Sequence, residues 1–229
     1  LLRRIAEAGG VPGDWRVEID GDIPIARGLG SSAALIVAAA AALRTAAGQE
    51  AGPERVFRIA GEVEGHLDNV AAATFGGTVA VGAGGTVRSL EVHPSLRVLV
   101  AVPDRGLLTI EARRVTRSPV ETAVAARTAA RLAFLLEGLR TADPGLFAEA
   151  AGDELHELRR AALSPLTVRL IDAARRSGAL HACWSGAGPA ALALATEAAP
   201  IRRAWEEILS VEGGEVLEPG LDDEGLRHG

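Results

Sequence analysis

Glu64, His66, Asp68 and Asn69 stand within six consecutive positions, in EGHLDN (64–69). Two carboxylates, an imidazole and an amide so closely spaced can hold a hard cation, orient a hydroxyl or accept its proton. A second stretch, GLGSSAA (28–34), sets two glycines and two hydroxyls ahead of an alanine-rich run. Glycine lets the backbone approach a ligand closely and take positive φ. A helix starting there presents free N–H groups and a partial positive charge, which favour phosphate. Ser31 and Ser32 can cap that helix or reach a phosphate or Mg2+. Taken alone, each stretch also has a plain reading. The first is a polar loop that caps the next helix, and the second is a Ser-capped helix after a glycine turn.

The elements that must position these groups follow from periodicity and punctuation. WRVEIDGDIPI (15–25) alternates apolar and polar residues and predicts a strand leading into the glycine loop. Residues 31–47 predict a helix that Gly48 ends, and Pro53 opens another with Val56, Ile59, Ala60 and Val63 on one face. EGHLDN breaks it, and FGGTVAVGAGGTVRSLEV predicts two short strands around a glycine turn. Pro94 marks a boundary, giving domains over 1–94 and 95–229. Beyond it come a buried strand, LRVLVAVP, helices over 109–115 and 119–139, and a helix over 144–161 with Asp143 as cap and Pro144 at its first position. Ser164 and Pro165 repeat that signature before a helix ending near Gly178. HACWS and ALALA predict strands around the turn GAGP, then a helix over 197–209 and a last strand, GEVLEP. Helices and strands mix without strict alternation, which predicts an α+β fold with largely antiparallel sheets.

Composition removes several function classes. The 229 residues are 48% hydrophobic and 24% charged, with a net charge of −6, so no basic surface for nucleic acid is expected. All 24 basic residues are arginine, which excludes Schiff-base chemistry and the lysine-bearing Walker loop. GLGSSA also lacks the third glycine of the dinucleotide fingerprint. The five histidines show no zinc spacing, and the single cysteine, Cys183, reads as a small core residue. No internal disulfide can form, and no leader or membrane span is read, so a cytoplasmic protein is expected.

With its flanks, the glycine loop becomes specific. IPIARGLGSSAA resembles the P-x-x-x-G-L-G-S-S-A-A motif of the GHMP small-molecule kinases, with Pro24, Gly28, Leu29, Gly30, Ser31, Ser32, Ala33 and Ala34 matching. EGHLDNVAAATFGG (64–77) resembles the E-G-H-P-D-N-V-A segment of the homoserine kinase branch, with Leu67 in place of proline. LLTIEARRV resembles the stretch in which that branch carries a carboxylate-binding arginine, matched by Arg113. DELHELRRAAL resembles D-x-L-H-Q-P-Y-R-A-P-L, with Arg160 matching and Leu158 and Arg159 in place of proline and tyrosine. A guanidinium fork grips a carboxylate in two parallel bonds. The neighbouring Arg114 and Arg159 are the surface alternatives. WSGAGPAALAL resembles the third motif of the superfamily, a tight turn at Ser185–Pro189.

The resemblance implies a two-domain GHMP-kinase fold. Its N-terminal domain would be ribosomal protein S5 domain 2-like and its C-terminal domain ferredoxin-like. It implies ATP and Mg2+ as cofactors and L-homoserine as substrate, phosphorylated on its hydroxyl on the route to threonine. Pro24, Arg27, Gly28, Leu29, Gly30, Ser31, Ser32 and Ala33 would hold the ATP phosphates, and Ser32 and Glu64 the metal, with Glu62 as the fallback. His66, Asp68 and Asn69 would position or activate the acceptor hydroxyl. Arg113, Arg160 and Gly186 would complete the substrate site. A homodimer is expected on the same ground, with neither a nucleic acid nor a membrane as partner. The other readings are a mevalonate- or phosphomevalonate-type kinase and a non-catalytic ligand-binding module. The chain lacks methionine and the upstream P-x-S-x-A-N-L-G-x-G-F-D stretch of homoserine kinases, so an N-terminal domain incomplete at its start is expected.

Overall fold

The computed structural model describes residues 1–107, 112, 114, 115 and 119–227. Contacts divide the chain into two compact units. Unit 1 comprises Leu1–Ile23, Gly30–Leu90 and Leu221–Gly229, and unit 2 comprises Pro24–Leu29 and Glu91–Gly220. The division runs through the glycine loop, at the Leu29–Gly30 bond.

In unit 1, α1 (Leu2–Ala8), α2 (Ser31–Ala46), α3 (Pro53–Glu64) and α4 (Asp68–Phe75) precede a hairpin of β1 (Thr78–Val81) and β2 (Val87–Leu90). Their core joins Ile5, Ile36, Leu43, Val56, Ile59 and Val70. The alanines of α2 serve this packing, because Ala39, Ala40 and Ala41 are buried and small side chains let neighbouring helices approach. Arg44, the one charge in that run, is buried and donates to the carbonyls of Gly9 and Glu50 and to Gln49 Oε1. It thus satisfies one carbonyl beside the end of α1 and another just past the end of α2. The tail returns to this unit: the Gly77 N–H donates to the Asp222 carbonyl at 2.6 Å, and the Leu226 N–H to the Thr74 carbonyl at 3.0 Å.

In unit 2, β3 (Arg97–Pro103), β4 (His181–Trp184), β5 (Ala191–Ala195) and β6 (Gly214–Leu217) form an antiparallel sheet in the order β4-β5-β3-β6. Leu99 pairs with Ala193, and Ala101 with Ala191 and Val216. Between β3 and β4 come α5 (Thr122–Thr141), α6 (Pro144–Glu149), α7 (Glu157–Arg160) and α8 (Pro165–Arg176), and α9 (Ala199–Glu212) links β5 to β6. This strand order is that of the ferredoxin-like βαββαβ unit that the family resemblance implied. Alternation along β3 sends Leu99 and Ala101 to a core with Leu170, Ile201 and Trp205. Val98, Val100 and Val102 face other clusters, which include Leu194 and Ala190. Trp205 Nε1–H donates to the Leu170 carbonyl at 2.8 Å, so the buried indole keeps a partner.

Two expectations are corrected. Residues 15–25 form no strand, and Ile19, Ile23 and Ile25 are exposed. Alternation is a local signal, whereas a strand requires a ladder partner, and none pairs with this segment among the described residues. The helix expected over 144–161 is broken into α6 and α7. Gly152 takes φ +81°, and Asp153 Oδ1 accepts the N–H groups of Leu155 at 2.6 Å and His156 at 3.2 Å. That side-chain turn competes with helix continuation. The helix expected over 109–115 falls largely outside the described residues.

Candidate active site

In unit 1, α2 begins at Ser31 with Gly30 as its N-cap residue at φ +76°, and no side chain caps it. Of the two hydroxyls foreseen as caps, that of Ser32 is used otherwise: its Oγ–H donates to Glu64 Oε2 at 2.9 Å. Glu64 is the last residue of α3, and Gly65 stops that helix at φ +82°. The chain can therefore reverse at once, and α4 starts at Asp68. Within that reversal the His66 ring lies between two carboxylates, with Nε2 3.8 Å from Glu64 Oε1 and Nδ1 3.7 Å from Asp68 Oδ1. Both distances exceed a hydrogen bond. Asp68 is the exposed member, with 70% of its side chain accessible against 14% for Glu64. Asn69 faces Gly30, whose notional Cβ would lie 3.6 Å from Asn69 Cγ.

Leu67 packs onto Gly61 of α3 so closely that a Cβ there would come within 2.4 Å of its Cδ2. Leu67 is thereby an apolar anchor packed against the unit 1 core. Glu62 is exposed and lines a groove of about 740 Å³ with Phe57, Leu67 and Phe75.

In unit 2, Pro24–Leu29 lie with the turn at Ser185–Pro189. Ser185 Oγ–H donates to the Gly28 carbonyl at 2.9 Å, and the Ala190 N–H to the Arg27 carbonyl at 3.1 Å. Gly28 has φ +82°, and a Cβ there would stand 2.1 Å from the Ser185 carbonyl oxygen, so only glycine fits. Leu29 packs with Val100, Val102 and Ala190. The Arg27 guanidinium is engaged by backbone, donating to the carbonyls of Ile25 at 3.0 Å and of Asp104.

Arg160 is buried beside the same turn. Its Nη1 donates to the Gly186 carbonyl at 2.9 Å and to His156 Nδ1 at 3.3 Å. His156 Nε2 lies 3.0 Å from Asp153 Oδ2. Burial pushes the Asp153 carboxyl up, but the hydrogen bond from His156, with the Leu155 and His156 N–H groups, outweighs it and holds the carboxyl below its ordinary value. Neither Asp153 nor His156 was singled out as a site residue from the sequence, although their positions, seven and four residues before a helical arginine, were a readable signal. Arg159 instead donates to the Pro119 carbonyl. Arg113 lies outside the described residues. Cys183 on β4 is partly buried and stands outside the core clusters, and desolvation chiefly pushes its thiol up to about 12, which keeps it protonated.

Oxygen donors from a hydroxyl and a carboxylate suit a small hard cation that keeps water and phosphate among its ligands. Among the described residues no cluster of three or more His, Cys, Asp or Glu could hold a metal unaided. The uncapped N-terminus of α2 suits phosphate. Among the described residues no helix is long and apolar enough to cross a membrane.

Two family profiles match the chain: GHMP kinases N terminal domain over residues 1–77, and GHMP kinases C terminal over residues 135–211. The homoserine kinase of Moorella thermoacetica is 38% identical over 191 residues, covering 82% of this chain and 64% of that protein. The homoserine kinase of Prochlorococcus marinus (strain MIT 9303) is 33% identical over 242 residues, covering 97% of this chain and 77% of that protein. The crystal structure of homoserine kinase from Cytophaga hutchinsonii matches with a TM-score of 0.81 at 27% identity, covering 90% of this chain and 69% of that one. The chain thus spans just under two thirds of the Moorella relative's length.

Proposed function

The chain belongs to the GHMP kinases and, within them, to the homoserine kinases; from that membership we propose that it transfers the γ-phosphoryl group of ATP to the side-chain hydroxyl of L-homoserine, giving O-phospho-L-homoserine for threonine biosynthesis. The observation that carries this reading is the Ser32–Glu64 pair at the uncapped start of α2, with His66 and Asp68 on the adjoining turn.

Phosphoryl transfer leaves the protein little covalent work, so positioning and electrostatics dominate. Ser32 and Glu64 supply the oxygens for Mg2+, with Glu62 as the weaker candidate because it points into a separate groove. Mg2+, when bound, spreads the charge of the transferring group. Pro24, Arg27, Gly28, Leu29, Gly30, Ser31, Ser32 and Ala33 form the phosphate loop. The N–H groups at the start of α2 bind phosphate oxygens, while Arg27 acts mainly by holding the loop's backbone. Asp68 accepts the hydrogen bond of the acceptor hydroxyl and orients it, with His66 and Asn69 beside it. Arg160 and Arg113 take the substrate carboxylate, and Gly186 lines the substrate site through its backbone. The domain boundary is proposed at residues 94 and 95, the location as cytoplasmic and the assembly as a homodimer.

An acceptor panel tests this reading. The protein encoded by the complete reading frame that contains these residues is incubated with Mg2+, ATP and, in turn, L-homoserine, mevalonate and phosphomevalonate. ADP release stimulated by homoserine alone supports the proposal. Stimulation by mevalonate or phosphomevalonate instead moves the chain to a sister activity. Ligand binding without turnover makes it a binding module.

A further inference from the structure

Arg160 is the last residue of α7, a single turn too short to fix a long side chain by itself. Its guanidinium is nevertheless held by side chain and backbone together. Arginine can only donate, so the contact at 3.3 Å requires His156 Nδ1 to be the acceptor. A neutral imidazole that accepts at Nδ1 carries its proton on Nε2. That atom faces Asp153 Oδ2 at 3.0 Å, which accepts the N–H. Asp153 is fixed in turn, because its other oxygen, Oδ1, accepts the N–H groups of Leu155 and His156. The order Asp153, His156, Arg160 therefore reads in one direction and ends on the Gly186 carbonyl at 2.9 Å.

We propose that Asp153 and His156 are positioning residues for Arg160: the carboxylate selects the Nε2–H tautomer of His156, and the free Nδ1 lone pair then fixes the guanidinium fork for the substrate carboxylate. The inference rests on the reading of Arg160 as a carboxylate-binding residue. A fork held in place loses less conformational freedom on gripping a carboxylate, so the relay acts on homoserine affinity and not on ATP.

The chemistry supplies a discriminating substitution. In Asp153→Asn the backbone N–H groups still need an acceptor, so the amide oxygen keeps the Oδ1 position. The NH2 group must then point at His156 Nε2 and force the proton onto Nδ1, where it opposes Arg160. The turn survives and the tautomer is reversed. His156→Asn keeps an acceptor at the Nδ1 position, whereas His156→Ala removes it.

The test combines 15N NMR of the histidine rings with steady-state kinetics on the full-length protein. Expected are an Nε2–H tautomer for His156 in the wild type and Nδ1–H in Asp153→Asn. The homoserine KM should rise about tenfold or more in Asp153→Asn and His156→Ala, the size of a lost charged hydrogen bond. His156→Asn should stay within about threefold of wild type, and the ATP KM should hold throughout. Arg160→Lys is run alongside. If it leaves the homoserine KM unchanged, the reading of Arg160 fails and takes the relay with it. If Arg160→Lys raises that KM but Asp153→Asn does not, the relay alone is overturned. An unreversed tautomer, or an equal rise in the ATP KM, overturns it as well.

Discussion

Ser32 Oγ–H donates to Glu64 Oε2 at 2.9 Å, joining the first turn of α2 to the last residue of α3. Thirty-two positions separate the two residues in the chain, and each sits at a helix end where a neighbouring glycine sets the backbone. The proposed metal chemistry depends on this pair more than on any other contact.

Glu64→Gln keeps the hydrogen bond from Ser32 and removes the charge. It is expected to lower kcat by about a hundredfold or more, as loss of a charge-stabilising group does, and to raise the Mg2+ concentration needed for half-maximal rate. A Mg2+ titration at saturating ATP and homoserine reads both. Glu62→Gln should change neither by more than about twofold. Reversed effects would move the ligand role to Glu62.

Gly28→Ala should be far worse than its size suggests. The new methyl would stand 2.1 Å from backbone at Ser185, at a φ of +82° that alanine resists. A loss of at least about 3 kcal/mol is expected, read as a fall in Tm. Ser185→Ala removes only the hydrogen bond to the Gly28 carbonyl and should cost about 1 kcal/mol.

Arg113→Ala tests a role that rests on the sequence motif. The homoserine KM is expected to rise about tenfold or more with the ATP KM unchanged. An unaltered homoserine KM removes Arg113 from the site.

The acid limb of stability should carry the signature of His181. Burial, and then the charge of Arg175, hold this imidazole down at about 4. In the unfolded chain it regains its ordinary value near 6.5. Between these values the unfolded state binds the extra proton, so stability falls as pH drops from about 6.5 to about 4, by at most about 3 kcal/mol. His181→Gln should flatten that limb in urea melts taken across the window. An unchanged slope would assign the effect to other groups.

The fold was legible wherever the signal was local. Pro53 opens α3, and Asp143 caps α6 by accepting the N–H groups of Gly145 and Leu146. The strand order of unit 2 followed once the family resemblance was in hand. Signals that depend on distant partners were misleading. Residues 15–25 alternate like a strand but pair with nothing among the described residues. The break at Gly152 and Asp153 was hidden inside an apparently continuous helix, because a side-chain acceptor can end a helix that propensity would extend. The candidate site shows the same limit. The motifs marked Arg160 and Glu64, but their neighbours Arg159 and Glu62 differ from them only in what they touch. Arg160 meets the Gly186 carbonyl and Glu64 meets Ser32, contacts that the order of residues does not reveal.

The most direct measurement is 31P NMR of a reaction containing the full-length protein, Mg2+, ATP and L-homoserine. A phosphate-monoester resonance matching O-phospho-L-homoserine should grow as the ATP γ-signal declines, and it should nearly vanish with Glu64→Gln. ATP loss to inorganic phosphate alone, or no homoserine-dependent ATP loss, would contradict the assignment of this chain as a working homoserine kinase.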